Sequence, residues 1–184
     1  MRHFLIAAVF ALSATTAQAA DFKLSSPEID PSKPLPERFL FDGFGCKGEN
    51  MSPELRWSGA PAGTKSYAVT VYDPDAPTGS GWWHWLVVDL PASAEGLSAN
   101  AGAVDGSGLP APAKHVRTDF GGPGFGGACP PPSDKPHRYV FTVYALKVES
   151  LGLPENATAA MAGFMMRANA LGKASFTVKY GRSR

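Results

Sequence analysis

Hydrophobic and polar positions alternate with period two over residues 65–72 (KSYAVTVY), where Tyr67, Val69 and Val71 fall on one side, the spacing of a strand with a buried face. Residues 85–90 (WLVVDL) form a short apolar run closed by Pro91, a second strand pattern. Residues 137–146 (HRYVFTVYAL) are β-branched and aromatic throughout, as suits a strand covered on both faces. Residues 175–180 (SFTVKY) predict a closing strand, and residues 22–24 a short early one inside a polar, proline-studded arm over 21–36. Helical spacing is confined to residues 156–171, where Ala157, Met161, Phe164, Ala168 and Leu171 recur on one side and Gly172 stands where a C′ residue stops a helix. Met161, Met165 and Met166 in that segment read as core packing. With no repeat, no heptad and no strand–helix–strand alternation, the pattern predicts a mostly β fold of antiparallel strands with one or two peripheral helices. The long irregular stretches 92–116 and 117–136 are of the kind that carries function or moves.

The N-terminal pattern changes the picture of where the chain works. Arg2 and His3 precede an apolar block over residues 4–12 and then Ala17-Gln18-Ala19, the layout of a secretory signal peptide cleaved after Ala19. The block is shorter than the roughly 20 residues that span a bilayer, so the expectation is a periplasmic or secreted protein without stable membrane insertion. Removal of the first 19 of 184 residues leaves 165, a length that suits a single domain over residues 20–184. The net charge of +1, with no basic run and no acidic tail, gives no reason to expect nucleic acid or an anionic membrane as partner. Cys46 and Cys129 are the two cysteines. In an exported chain such a distant pair reads first as a disulfide, with two buried thiols or a reactive Cys129 as the rival readings.

Candidate chemistry collects around DPDAPTGSGWWHW, residues 73–85. Pro74 and Pro77 stiffen the chain after the 65–72 strand and push Asp73 and Ala76 towards extended geometry. Asp73 and Asp75 then point the same way, one as a pocket acceptor and the other in an Asx turn, or both as turn formers only. His84 opens the 85–90 strand and His137 opens the 137–146 strand. Each alone reads as structural; together with Asp73 they form a constellation in which an acid orients an imidazole and the histidines donate to a phosphate or carboxylate. An anion fits this set better than a metal. His115 has no such context and reads as a loop residue. The glycine-rich stretch 121–132 (GGPGFGGACPPP) allows backbone N–H groups to approach an anion, yet it lacks the Lys-Ser/Thr of a P-loop and the layout of a dinucleotide site.

The combination of DPDAP (73–77), GSGWWHW (79–85), the glycine loop ending in Pro130-Pro131, and HRYVF (137–141), with FGCKGENMSPELRW (44–57) and RTDFG (117–121), resembles the phosphatidylethanolamine-binding protein family, also called Raf kinase inhibitor-like proteins, and most closely its bacterial branch. The resemblance implies two antiparallel sheets with a small anion pocket at one end, for phosphate, acetate or a phospholipid headgroup. It places the pocket's acid on Asp73, its histidines on His84 and His137, its tyrosine on Tyr139, its backbone donors on Gly127 and neighbours, and its walls on Pro77 and Trp83. Cys129 stands where many relatives have Gly and implies a link to Cys46. Set against the mammalian members, the resemblance leads to the expectation of no C-terminal helix bordering the pocket, since the sequence ends four residues after the 175–180 strand pattern. The function so implied is non-enzymatic binding without a cofactor. The alternatives are a protein-interaction module acting through the loops around the pocket, and a hydrolase with His137 as base.

Overall fold

The computed structural model describes residues 21–183; the signal-peptide reading of residues 1–19 lies outside them. The elements follow as β1 Lys23–Ser25, a 3-10 turn at Glu37–Phe39, β2 Asp42–Gly43, β3 Cys46–Lys47, β4 Leu55–Ser58, β5 Ser66–Asp73, β6 Trp82–Pro91, β7 Gly96–Leu97, β8 Lys114–His115, β9 His137–Leu146, α1 Ala159–Asn169 and β10 Ala170–Tyr180. The five-stranded sheet runs β10-β9-β5-β6-β8, the three-stranded sheet β1-β4-β7, and β2-β3 forms a two-stranded ribbon. All these pairings are antiparallel, as the mostly β reading requires.

Period two in β5 and β9 divides the core. Tyr67, Val69, Val71, Tyr139, Phe141 and Val143 face the small sheet and meet Leu55, Trp57 and Leu97. Ala68, Tyr144 and Leu146 face the other way, with Leu86 and Val88, against Ala159, Ala162 and Met166 of α1. The molecule is thus a small sheet, a large sheet and one helix in three layers. Because β9 is buried on both faces beyond its first residues, its charged and imidazole side chains, Arg138 and His137, stand at its start, while the mid-strand Thr142 is paired with Ser175.

Several expectations need correction. Helix α1 begins at Ala159 because Thr158 is its N-cap, its hydroxyl accepting from the Met161 amide at 3.2 Å. Its buried face is Ala159, Ala162, Gly163 and Met166, whereas Met161, Phe164 and Leu171 are exposed; small residues let the helix lie close to the sheet, which the larger apolar side chains would prevent. Gly172 does not stop the helix but sits in a bulge of β10, where a Cβ would lie 2.9 Å from Pro61 Cγ. Strand β6 begins at Trp82 rather than residue 85, and β2, β3, β4, β7 and β8, each four residues or shorter, were too short for a periodic signal. His115 is no loop residue: it lies in β8, where its Nδ1 accepts from the Trp85 indole at 3.2 Å and its Nε2 lies 3.0 Å from the Ala103 carbonyl.

Cys46 and Cys129 form a disulfide across 83 positions of sequence, tying β3 to the stretch before Pro130. In the chain-entropy description a closure of this length stabilises the fold by about 4 to 5 kcal/mol.

Candidate functional site

The site is built at the end of the large sheet where β5 stops, β9 starts and β6 has just begun. Asp73, the last residue of β5, is 2 % exposed. Its Oδ1 accepts the amides of Asp75 at 2.8 Å and Ala76 at 3.1 Å, and its Oδ2 accepts from His137 Nδ1 at 2.7 Å. One carboxylate therefore performs both roles that the sequence offered, the Asx turn and the ring orienter. Pro74 has no amide to donate, so the turn's N–H groups come from the next two residues. Asp75 points elsewhere: it takes the Arg138 amide and guanidinium at 2.7–2.9 Å on the outside of the sheet, and Arg138 holds its carboxyl down at about 2.

His84 reaches the same place through a bulge. Tyr72 pairs with Trp83 while Val71 pairs with Trp85, so β6 carries one extra residue there, and a bulge of this kind re-aims a side chain. Trp82 and His84 line the cavity; Trp83 turns to the helix side, its ring tilted against Tyr72 with centroids 4.5 Å apart and lying against Gly163. The wall predicted at Trp83 is thus supplied by Trp82. His84 is 4 % exposed and its Nδ1 lies 2.8 Å from the Gly126 carbonyl. That bond assigns the proton to Nδ1 and leaves Nε2 as the acceptor of a neutral ring. Burial pushes the His84 pKa down, which favours that neutral form.

Tyr139 lies two residues beyond His137 on the same face of β9, with its ring 5.2 Å from His84 in edge contact. Among the described residues its hydroxyl is the buried side-chain polar atom without a hydrogen-bond partner. Burial, with Asp73 nearby, raises its pKa, so the phenol keeps its proton as a donor. The cavity enclosed by these groups has a volume of about 150 Å³ and is walled by Phe44, Ala76, Pro77, Thr78, Trp82, Phe120, Cys129, Pro130 and Pro131 around Asp73, His84, His137 and Tyr139. No lysine or arginine lines it. At roughly 30 Å³ per water it holds about five waters or one small polar molecule, and it has no room for an acyl chain.

Gly127 is placed differently from the expectation. Its amide donates to Asn50 Oδ1 at 2.7 Å, while Asn50 Nδ2 donates to the Phe125 carbonyl at 3.1 Å, so Asn50 fastens the glycine loop from behind and Gly127 is not among the lining residues. A Cβ at Gly127 would lie 2.4 Å from the Leu40 carbonyl carbon, which accounts for the glycine by packing. Phe44, Ala76, Thr78, Trp82, Phe120, Cys129, Pro130 and Pro131 line the cavity without having been assigned to it from the sequence. Phe44, Trp82 and Phe120 join an aromatic cluster with Phe41, and Cys129 reaches the wall through its disulfide; no local pattern announces contacts between residues so far apart. Among the described residues no group of three His, Cys, Asp or Glu is close enough to hold a metal ion, and no helix is long and apolar enough to cross a membrane.

This architecture is that of a known class. The family model "phosphatidylethanolamine-binding protein" matches residues 25–181. The chain is 51% identical over 180 residues to the UPF0098 protein YbcL of Escherichia coli (strain K12), covering 98% of each, and 48% identical over 161 residues to the UPF0098 protein YbhB of the same strain, covering 86% of this chain and 99% of that one. A crystal structure of Escherichia coli YbcL, described as a new member of the mammalian PEBP family, superposes with a TM-score of 0.86 at 53% identity, over 88% of this chain and 99% of that one. A homologue from Chlamydia trachomatis, CT736, superposes with a TM-score of 0.72 at 28% identity, over 90% of this chain and 99% of that one. The chain belongs to the phosphatidylethanolamine-binding protein family.

Proposed function

We propose that the protein is an exported, non-enzymatic binder of small oxyanions or phosphoryl headgroups, with phosphate and phosphorylethanolamine as the type ligands. The observation that carries this reading is the buried Tyr139 hydroxyl, which has no protein partner and belongs to a cavity shared with His84, His137 and Asp73. A buried polar group left unpaired is costly, and a ligand oxygen accepting from Tyr139 removes that cost. Asp73 holds the His137 ring in place, and His84 becomes a second donor when it takes up a proton at Nε2. Binding is therefore coupled to proton uptake. Of the hydroxyl side chains that line the cavity, Thr78 donates to the Gly81 carbonyl and the Tyr139 phenol has a raised pKa that works against attack; this supports binding over hydrolysis. Export is supported by the N-terminal pattern and by a disulfide, which persists in oxidising compartments.

A ligand that binds only the folded state raises its melting temperature by mass action. Thermal unfolding with millimolar phosphate or phosphorylethanolamine is expected to show such a rise in the wild type and little in Tyr139→Phe and His84→Ala. No rise in the wild type, or an equal rise in both variants, would refute the pocket reading. The alternative of a protein-interaction module draws on Phe44, which is 69% exposed beside the cavity with a left-handed backbone (φ 51°). A partner recovered equally by wild type and cavity variants would favour it.

A further inference from the structure

His137 has two ring nitrogens, and both face carboxylates. Nδ1 is bonded to Asp73 Oδ2 at 2.7 Å, and Nε2 lies 3.4 Å from Asp134 Oδ2. The two acids differ in kind. Asp73 is buried and fixed by two backbone amides, so it is a permanent part of the site. Asp134 is 43% exposed at its side chain and stands on the turn that follows the cavity-wall residues Pro130 and Pro131, where its amide donates to the Pro131 carbonyl at 3.3 Å. A charge-assisted N–H···O bond is ordinarily about 2.7–2.9 Å long; the Asp134 contact is looser, and its carboxylate can be exchanged for another oxyanion at low cost. Lys135, Arg138 and Lys179 share the shallow hollow around it, but Arg138 is already engaged by Asp75.

We infer that Asp134 is a specificity-determining residue: its carboxylate occupies the Nε2 side of His137 and sets the charge of the oxyanion that the cavity accepts, discriminating against dianions. This rests on the oxyanion-pocket reading above. An incoming oxyanion that uses His137 competes with Asp134 for the same ring and is repelled by it in proportion to the ligand's charge. Replacement by asparagine keeps the size of the side chain and removes the repulsion. Because the Coulomb energy is linear in ligand charge, the logarithm of the affinity gain doubles from a monoanion to a dianion. A gain of about threefold for acetate therefore becomes about tenfold for phosphate.

The test is calorimetric titration of the purified wild type and Asp134→Asn with acetate and with inorganic phosphate at a pH where phosphate is the dianion. The result expected is tighter binding of both ligands by Asp134→Asn, with the larger factor for phosphate. Detectable binding with unchanged affinities, or with the same factor for both ligands, overturns the role of Asp134 and leaves the pocket reading standing. Absence of binding of either ligand to either protein overturns both. A readout free of ligand keeps the contact itself open to refutation: the ¹⁵N resonance of His137 Nε2 is expected to move in Asp134→Asn, and an unmoved resonance means that the carboxylate does not act on the ring.

Discussion

The ribbon of β5 and β6 carries a buried aspartate near each end, and the two do different things. At the cavity end Asp73 gives one oxygen to two backbone amides and the other to an imidazole. At the far end Asp89, which has a left-handed backbone (φ 59°) in the second bulge of β6, gives one oxygen to the Leu151 amide and the other to the Ser150 hydroxyl, both at 2.9 Å. Each acid uses backbone bonds to fix a turn; Asp89 sits within one register shift of the ladder, and Asp73 is paired with Trp82 just past the other. What separates them is the last partner. A hydroxyl ties a loop to a strand, whereas the imidazole lines the cavity, so only the cavity end presents its partner to a ligand.

The same substitution at both places is the strongest way to break that contrast. Asp89→Asn keeps the Leu151 bond on its remaining oxygen, tolerates the left-handed backbone as asparagine does, and the Ser150 hydroxyl can turn to accept from the new amide; the expected cost is about 1 kcal/mol. In Asp73→Asn the new amide group faces His137 Nδ1–H, so the ring has to move its proton or lose the bond, and a buried charged partner is gone; the expected cost is about 3 kcal/mol. Denaturant unfolding measures both, and phosphate-dependent melting adds the functional half: the response is expected to survive Asp89→Asn and to vanish in Asp73→Asn. Equal costs, or a phosphate response intact in Asp73→Asn, would erase the distinction.

A pH series sharpens the contrast further, because the cavity end also holds His84, whose pKa burial lowers, while the partners of Asp89 are a backbone amide and a hydroxyl. Burial holds His84 below the ordinary histidine value of about 6.5. On acidification the unfolded chain takes up this proton first, so the stability that His84 contributes is present above about 6.5 and is lost as the pH falls towards the lower folded value. A bound oxyanion compensates the imidazolium and reduces that loss. His115, also lowered by burial, adds a slope of the same sign that phosphate does not alter. Melting temperatures between pH 7 and pH 5 are therefore expected to fall less steeply with phosphate in the wild type and in Asp89→Asn. In His84→Gln the phosphate-sensitive part should be absent; if it persists, another group takes up the proton.

The cavity end was also the more legible of the two. Local pattern revealed β5, β9, the stiff turn after Asp73 and the histidines at strand starts, because periodicity and proline restrictions act over a few residues. It could not distinguish Trp82 from Trp83 as the cavity wall, since that depends on one extra residue in β6 whose cause lies in pairing with β5. Nor could it show that Gly127 is held by Asn50, 77 positions away, or that Phe44 and Phe120 stack near the mouth. At the far end nothing in the sequence singled out Asp89, because its partners come from the loop after β9. The family resemblance supplied the pocket roles of Tyr139 and Pro77, which spacing alone does not reveal.

The smallest effect is expected at Asp75, and it tests whether burial rather than proximity separates the acids. Asp75 is two residues from Asp73 and accepts three hydrogen bonds from Arg138, one more than Asp89 accepts from its two partners. Its guanidinium partner is about half exposed, at 52%, so water and salt already solvate much of that charge, and exposed pairs of this kind contribute little. The asparagine variant retains an oxygen for the Arg138 amide and so keeps the turn beside His137. Arg138 holds the Asp75 carboxyl at about 2, so whatever the pair contributes is present above the ordinary carboxylate range and disappears only as the pH falls towards about 2. Between pH 5 and pH 7 Asp75→Asn should therefore leave the slope of melting temperature unchanged and lower the curve by about 1 °C, with the phosphate response intact. A loss comparable to that of Asp73→Asn would mean that the outer pair, and not the buried imidazole pair, holds the cavity in shape.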